Sequence, residues 1–209
     1  MRTKALILTA VFLSSVSIAY AGWEQKPQLR WSQVYSYDNR HDDHQLYINR
    51  LSVGFIYLDK QGGELFKLTP FFEARRNVDR NLWERKELGA ELGRDILPWF
   101  YLGEAIQGVW LKEDYRDYTH TKKRDSTESK TRLLLTHNLI SNSRIKLNGF
   151  AADEYIYDFD IGAGVRNELS GGVILPLNKN IETGLSWRHI DRIHDFDSDV
   201  VEASLTVIF

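Results

Sequence analysis

Apolar and polar side chains alternate along most of the chain, and the alternation is clearest near its end. From Val201 to Val207 every second residue is apolar, with Glu202, Ser204 and Thr206 between them. A period of two places each kind of side chain on its own face of a β-strand. The pattern predicts a strand over 200–209 and nine earlier ones, with no helical periodicity between them: 28–37, 45–58, 65–76, 82–94, 99–112, 130–138, 144–157, 165–175 and 181–189.

The predicted connections fall into two classes. Those after odd-numbered strands tend to be longer and charged, the longest being 113–129. Those after even-numbered strands are short polar turns, at 59–64, 95–98, 140–143 and 176–180. Outer-membrane β-barrels have short turns on the periplasmic side and longer loops outside. An even strand number then predicts that both termini are periplasmic.

A bilayer gives the physical reason for closing such a sheet. Unpaired backbone groups are costly in hydrocarbon, so a spanning sheet has no free edge. We therefore predict that residues 22–209 form one all-β domain, a closed antiparallel up-and-down transmembrane β-barrel of about ten strands, within a range of eight to twelve. A soluble β-sandwich is the alternative. Pro70 predicts a bulge or the end of its strand, and Asp153 falls on the lipid-facing parity unless a bulge precedes it.

The start of the chain predicts export. Residues 1–21 combine basic Arg2 and Lys4, an apolar stretch and the small-x-small sequence Ala19-Tyr20-Ala21. We expect a signal peptide that is removed. The chain has no cysteine, so no disulfide framework holds it. Removal of Arg2 and Lys4 with the signal peptide lowers the formal net charge of −2 by two units. Nothing in this charge indicates a nucleic-acid partner.

The end of the chain resembles the closing strand of bacterial outer-membrane barrels. It stops, still extended, on the aromatic Phe209. The resemblance implies that the barrel-assembly machinery recognises the strand ending at Phe209. It also implies an outer-membrane location, with outer-membrane lipid and lipopolysaccharide as surroundings.

Charged residues recur on the parity predicted to face the lumen. A barrel of this size is only slightly wider than side chains can fill. A paired network that fills the lumen is one interpretation, and a narrow polar pore is the other. The basic and acidic groups nearly cancel, unlike the basic excess expected in a porin for acidic sugars. They are Arg50, Lys67, Glu73, Arg75, Arg85, Glu87, Glu91, Glu104, Arg132, Glu154, Arg166, Glu168, Glu182, Arg188 and Glu202.

Aspartates and histidines concentrate in the first and last predicted outer loops. These loops share one rim in a closed barrel, since the first and last strands are neighbours. The carboxylates predict binding of divalent cations, including those held by lipopolysaccharide. A His–Asp dyad that activates water, as in omptin proteases, and a solvated hairpin tip are alternatives. The aspartates are Asp42, Asp43, Asp195, Asp197 and Asp199, and the histidines are His41, His44, His189 and His194.

Two further features suggest chemistry. A serine hydrolase at the membrane rim needs a serine close to a histidine. His189 has Ser186 and Ser198 nearby in sequence, although Ser186 is on the inner parity, and His137 has no evident serine partner. The segment 113–130 is interpreted as a solvated loop, in which the basic cluster 122–124 is a candidate contact for lipopolysaccharide phosphates.

The segment 147–189 resembles the closing half of a family of small Gram-negative outer-membrane proteins catalogued as a domain of unknown function. The resemblance lies in Glu154-Tyr155, Arg166-Asn167, Gly171-Gly172 and the turn Asn178-Lys179-Asn180. The family carries no agreed activity, so the resemblance implies a barrel and no chemistry.

These observations predict a barrel without catalytic activity, with an envelope-structural or rim-binding role and no cofactor. Two alternatives stay open: a narrow channel for small polar solutes, and a hydrolase acting on lipid or peptide at the outer rim.

Overall fold

The computed structural model describes residues 27–38, 44–58, 63–79, 81–111, 125–141, 146–192 and 197–209. Within these ranges all regular structure is β-strand, and no helix there is long and apolar enough to cross a membrane. The predicted signal peptide lies outside the described residues. The strands are β1 (Gln28–Asp38), β2 (His44–Leu58), β3 (Glu64–Asn77), β4 (Leu82–Leu97), β5 (Phe100–Leu111), β6 (Ser126–Ser141), β7 (Lys146–Asp158), β8 (Ala163–Pro176), β9 (Ile181–Arg192) and β10 (Ser198–Ile208).

The ten strands form a closed antiparallel barrel in which each strand pairs with its neighbours in sequence. The ring closes between the first and last strands, where Trp31 of β1 is paired with Val207 of β10. On its other side Trp31 is paired with Leu51 of β2. No edge strand is left, so the predicted fold class and strand number are confirmed.

The two ends of the barrel differ in what they carry. The terminus end holds residues 27 and 209 and the connections after β2, β4, β6 and β8, and the loop end holds the other connections. The predicted contrast in their lengths is weaker than expected: 112–125 is the longest connection, but 78–81 and 159–162 at the loop end are as short as 177–180. Local hydrogen bonds explain one of these tight turns: Asp158 Oδ1 accepts the N–H of Asp160 at 2.7 Å, and Gly162 has a φ of 70°.

Two residues that fitted the alternation poorly lie inside strands. Pro70 is within β3, paired with Ala90, so the predicted bulge or strand end there is wrong. The β2–β3 pairing passes from Ser52↔Phe71 to Phe55↔Leu68, and the missing N–H of Pro70 falls in this gap. Asp153 is paired with Leu133 and Leu169 and stays on the outward face, as its parity predicts.

The barrel buries polar side chains inside and exposes apolar ones outside. Large hydrophobic residues on the outward face are exposed on every side of the barrel, among them Leu51, Leu92, Ile106, Leu133, Leu169, Leu185 and Val201. The buried set includes ten charged residues, whose side chains point inward. This distribution is the reverse of that in a soluble domain and is the one expected of a barrel surrounded by lipid.

Candidate functional site

Fourteen of the fifteen residues predicted to line the lumen do lie on the inward face. The strand registers carry one face continuously around the barrel, for example through Arg50↔Glu73 and Glu154↔Glu168. The side chains of all four residues lie inside the barrel, as the ion pairs that each of them makes show below. We call the inward-facing charged residues the lumen charge network.

Glu104 is the exception, and its predicted lumen position is wrong. It is paired with Leu92 on one side and Thr131 on the other, both on the outward face. The Thr131 hydroxyl donates to Glu104 Oε2 at 2.6 Å, and the side chain is exposed. Strand β5 turns small or apolar residues inward, including Ala105 and Val109, which are each 1% exposed. The polarity of β5 therefore does not tell which of its faces is inside.

The densest part of the network lies on β3, β4 and β6 near the loop end. Arg75 lies 2.9 Å from Glu73 and 3.3 Å from Glu87. Arg85 also pairs with Glu87 and lies 2.5 Å from Glu128. Glu87 is completely buried. Two guanidinium groups compensate this carboxylate, which would otherwise be very costly to bury.

A second part of the network joins β8, β9 and β10. Arg188 pairs with Glu202 and lies 2.7 Å from Glu168. Arg166 also lies 2.7 Å from Glu168, as an ion pair without hydrogen-bond geometry. Glu168 is 2% exposed and is held between two arginines, as Glu87 is on the other side of the lumen.

A third part lies between the first two, mainly on β6 and β7. The Arg132 guanidinium donates to Glu154 Oε1 at 2.5 Å, and Lys130 lies 3.5 Å from the same carboxylate. Arg132 also lies 3.7 Å from Glu91, which accepts the Tyr101 hydroxyl at 2.6 Å. The ion pairs of the three parts together involve seven strands, β3, β4, β6, β7, β8, β9 and β10.

Several members of the network were missed by the sequence analysis. Glu128 and Lys130 lie on β6, which begins at Ser126 rather than at residue 130. Gln107 is 1% exposed and donates to Glu128 Oε2 at 3.0 Å. Residues 126–131 are polar on both faces, so no hydrophobic alternation marks the start of this strand. The regular spacing of Glu128, Lys130 and Arg132 is the one feature that could have indicated it.

The lumen near the terminus end is less buried. Ser32 and Thr206 share a hydrogen bond of 2.8 Å, and Gly54 and Gly184 are inward positions without side chains. Thr136, also inward, is exposed. Lys67 lies 2.8 Å from Asp95, and both side chains are partly exposed. This ion pair is therefore less buried than those near the loop end.

The remaining two predicted lumen residues differ in their surroundings. Arg50 lies 3.5 Å from Glu73, and its guanidinium lies over the Phe71 ring, 4.0 Å from the centroid. Glu182 is on the inward face, in register with Thr206 near the terminus end. Among the described residues, no ion pair involves Glu182.

The predicted rim site is only partly within the described residues. Asp42, Asp43 and Asp195 lie outside them, as do His41, His194 and the basic cluster 122–124. Asp199 and His189 are directly paired on β10 and β9, with 3.0 Å between Asp199 Oδ1 and His189 Nδ1. The His189 ring is stacked on Trp187. In the described ranges no group of three or more His, Cys, Asp or Glu residues is placed to hold a metal ion, and Asp197 is not part of such a group.

The candidate serines lie on the opposite face of the sheet from His189. Ser186 faces inward and donates to Glu202 at 3.5 Å. Ser198 is 2% exposed and accepts a hydrogen bond from Arg192 at 2.7 Å. Neither hydroxyl can reach His189, because strand alternation directs them to the other side of the wall. His137 is outward and near the terminus end, as predicted.

Of the comparisons with known proteins, only that with solved structures finds similar chains. No family model matches the chain, and no curated protein matches it. Among similar solved structures, a bacterial polysaccharide outer membrane secretin is 16% identical, with 89% of this chain and 71% of that chain covered and a TM-score of 0.46. The porin KdgM, solved with disordered oligogalacturonate, is 7% identical, with 87% and 99% covered and a TM-score of 0.44.

The transport unit of the autotransporter AIDA-I from Escherichia coli is also similar. It is 10% identical, with 88% of this chain and 90% of that chain covered and a TM-score of 0.39. With all three TM-scores below 0.5, the closed barrel is established by the strand pairing described above, and no function is transferred. The resemblance of 147–189 to a family of unknown function stays a prediction.

Proposed function

We propose that the chain is an outer-membrane β-barrel without catalytic activity, whose lumen is closed by the lumen charge network. Its role is envelope structure or binding at the rim. One observation carries this proposal: the inward side chains near the loop end are packed together, with Glu87, Gln107 and Glu168 at most 2% exposed. Side chains this buried support a lumen that is closed at this level.

The surface of the barrel supports the membrane location. Apolar side chains such as Ile106 (60% exposed) and Leu185 (57% exposed) would be costly to leave in water over so wide an area. In a bilayer the same side chains contact hydrocarbon, and the closed sheet satisfies its backbone groups. We place the terminus end in the periplasm, following the general arrangement of such barrels.

The proposed partners follow from the two ends of the barrel. Phe209 is 70% exposed, and its N–H donates to the Leu29 carbonyl at 2.9 Å, so the last residue continues β10 beside β1. This supports recognition of the closing strand by the barrel-assembly machinery. Asp197 and Asp199 at the loop end support binding of cations or lipopolysaccharide at the rim.

Membrane fractionation combined with electrophoresis tests the location. We expect the protein in the outer-membrane fraction, with a change of mobility on boiling in SDS, because closed barrels resist the detergent until heated. A water-soluble periplasmic protein whose mobility does not change would contradict the proposal.

A narrow channel is the second candidate, and the open terminus half of the lumen favours it. Thr136 is exposed there, and a Cβ added at Gly54 would have its nearest neighbour 4.0 Å away. Vesicle swelling with a small neutral sugar separates the two candidates. The closed-lumen proposal expects no swelling above that of empty vesicles, and swelling that grows with protein content would support the channel.

The hydrolase alternative rests on the His189–Asp199 pair alone. Phospholipid, lipid A and peptide substrates should be unchanged by overexpression of the protein. Turnover that is lost in a His189→Ala variant would overturn the non-catalytic proposal.

A further inference from the structure

Three polar side chains lie together on the outward face of β5, β6 and β7. Thr131 donates to Glu104, and Asp153 lies one strand further along. Asp153 is partly exposed on this face, and its Oδ1, which neighbouring atoms cover, has no hydrogen-bond partner in the described part of the chain. Exposed apolar residues surround the three, including Leu92, Leu102, Leu133 and Leu169. We call Glu104, Thr131 and Asp153 the acceptor patch.

A second outward polar pair lies on β1 and β2. Gln33 and Asn49 are directly opposite each other in the register. No hydrogen bond joins either side chain to another described residue. Their outward neighbours are again apolar, including Leu51 and Leu205. We call Gln33 and Asn49 the amide patch.

The two patches lie on opposite walls at one level. Following the ring, β6 is five strands from β1 and four from β2. Asn49 is five residues below the loop-end residue His44, and Asp153 is five residues below Asp158. Five residues of a tilted strand correspond to about 12 Å in depth, so both patches lie at the level of hydrocarbon rather than in water.

We propose that the acceptor patch of one copy of this chain contacts the amide patch of a second copy within the membrane. This inference rests on the proposed membrane location. Polar groups at this depth are costly when they face lipid and are stabilised when they meet a partner. Amide N–H groups donate and carboxyl oxygens accept, so the two patches are complementary, whereas two acceptor patches would offer each other almost no free donors.

The arrangement of the patches also sets the kind of assembly. Opposite walls that recognise each other give a heterologous, head-to-tail contact. Copies then add side by side in the membrane plane, with every barrel in the same orientation. An isologous dimer through the acceptor patch would leave carboxyl groups facing carboxyl groups, and one through the amide patch would leave the acceptor patch facing lipid.

Cysteine cross-linking tests this contact, since the chain has no cysteine of its own. Leu51→Cys places a thiol two residues from Asn49, and Leu133→Cys places one two residues from Thr131. The two variants, carrying different tags, are expressed together and oxidised in isolated membranes. We expect a mixed disulfide between the tags in clear excess over either homotypic disulfide. Leu185→Cys on β9, also exposed to lipid, replaces Leu133→Cys as the matched control and should give only background.

A second variant removes the chemistry of the acceptor patch while keeping the barrel. Glu104→Leu with Asp153→Leu, added to the Leu133→Cys chain, should lower the mixed cross-link by about tenfold. His137→Leu, on the same wall but outside the patch, should leave it unchanged. Equal cross-linking in all these variants, or predominance of homotypic disulfides, would overturn the inference. The heat-modifiable mobility is recorded on the same samples, so a failure of the barrel proposal is distinguished from a failure of the contact.

Discussion

The two halves of the lumen are built differently although they belong to the same strands. In the loop half, Glu87 and Glu168 are each held between two arginines and are almost inaccessible. In the terminus half, Ser32, Thr206 and glycines line the same wall, and the Lys67–Asp95 pair is partly exposed. The pairing of strands is continuous through both halves. The difference lies only in which side chains occupy the inward positions.

The comparison shows how a small barrel closes its own interior. A buried ion pair gains little net free energy, because desolvation offsets the attraction, but a buried charge without a partner is strongly destabilising. The loop half therefore depends on every partner being present, whereas the exposed ion pairs of the terminus half contribute little. Changes of equal size should have very different effects in the two halves.

The largest effect is expected in the loop half. Glu87→Gln keeps the shape of the side chain but leaves Arg75 and Arg85 with one carboxylate fewer, which should lower the free energy of unfolding by about 3 kcal/mol. Denaturant unfolding of the refolded barrel in lipid vesicles measures this. Glu182→Gln near the terminus end is the matched control, with an expected loss of less than about 1 kcal/mol. Equal losses in the two variants would remove the distinction between the halves.

An intermediate effect is expected at Gly93 and Tyr101, the register partners of Lys67 and Asp95, because the Tyr101 hydroxyl reaches the Glu91 carboxylate. A Cβ at Gly93 would lie 1.9 Å from Tyr101 Oη, so Gly93→Ala must displace the Tyr101 ring and break its hydrogen bond to Glu91. We expect a loss of about 2 kcal/mol, measured by the same unfolding assay. A Gly93→Ala barrel as stable as the wild type would show that the ring is not fixed there.

Tyr101→Phe isolates the hydroxyl from the ring. It removes the donor to Glu91 but keeps the ring over Gly93, so the expected loss is about 1 kcal/mol. Unfolding of the single variants and of Tyr101→Phe with Gly93→Ala completes the comparison. The double variant should lose little more than Gly93→Ala alone, because both changes break one hydrogen bond. Full additivity would mean that the two residues act independently.

The smallest effect is expected in the terminus half. Ser32→Ala removes a hydrogen bond to Thr206 in partly exposed surroundings, where water can replace it, so the expected loss is about 0.5 kcal/mol. The midpoint of denaturant unfolding should hardly move. A loss as large as that of Glu87→Gln would show that this half is also tightly packed.

The sequence predicts the strands well because alternation records which side meets lipid. The prediction from alternation fails where both faces of a strand have the same polarity. β5 is apolar on both faces, so Glu104 was assigned to the wrong side, and residues 126–131 are polar on both, so Glu128 and Lys130 were missed. The sequence also gives no register, and the contact between Tyr101 and Gly93 depends on the exact pairing of β4 with β5. For the same reason, the sequence could predict that the lumen contains ion pairs, but it could not predict which residues pair with each other.

Single-channel recording across a planar bilayer tests the central claim most directly, because it asks whether the lumen charge network closes the barrel. The account predicts no steady current through the wild-type protein. A variant with Arg75→Ser, Arg85→Ser, Glu87→Ser and Glu128→Ser together should, if it folds to the heat-modifiable form, conduct ions. A steady ohmic current through the wild-type barrel would contradict the closed lumen and favour the channel.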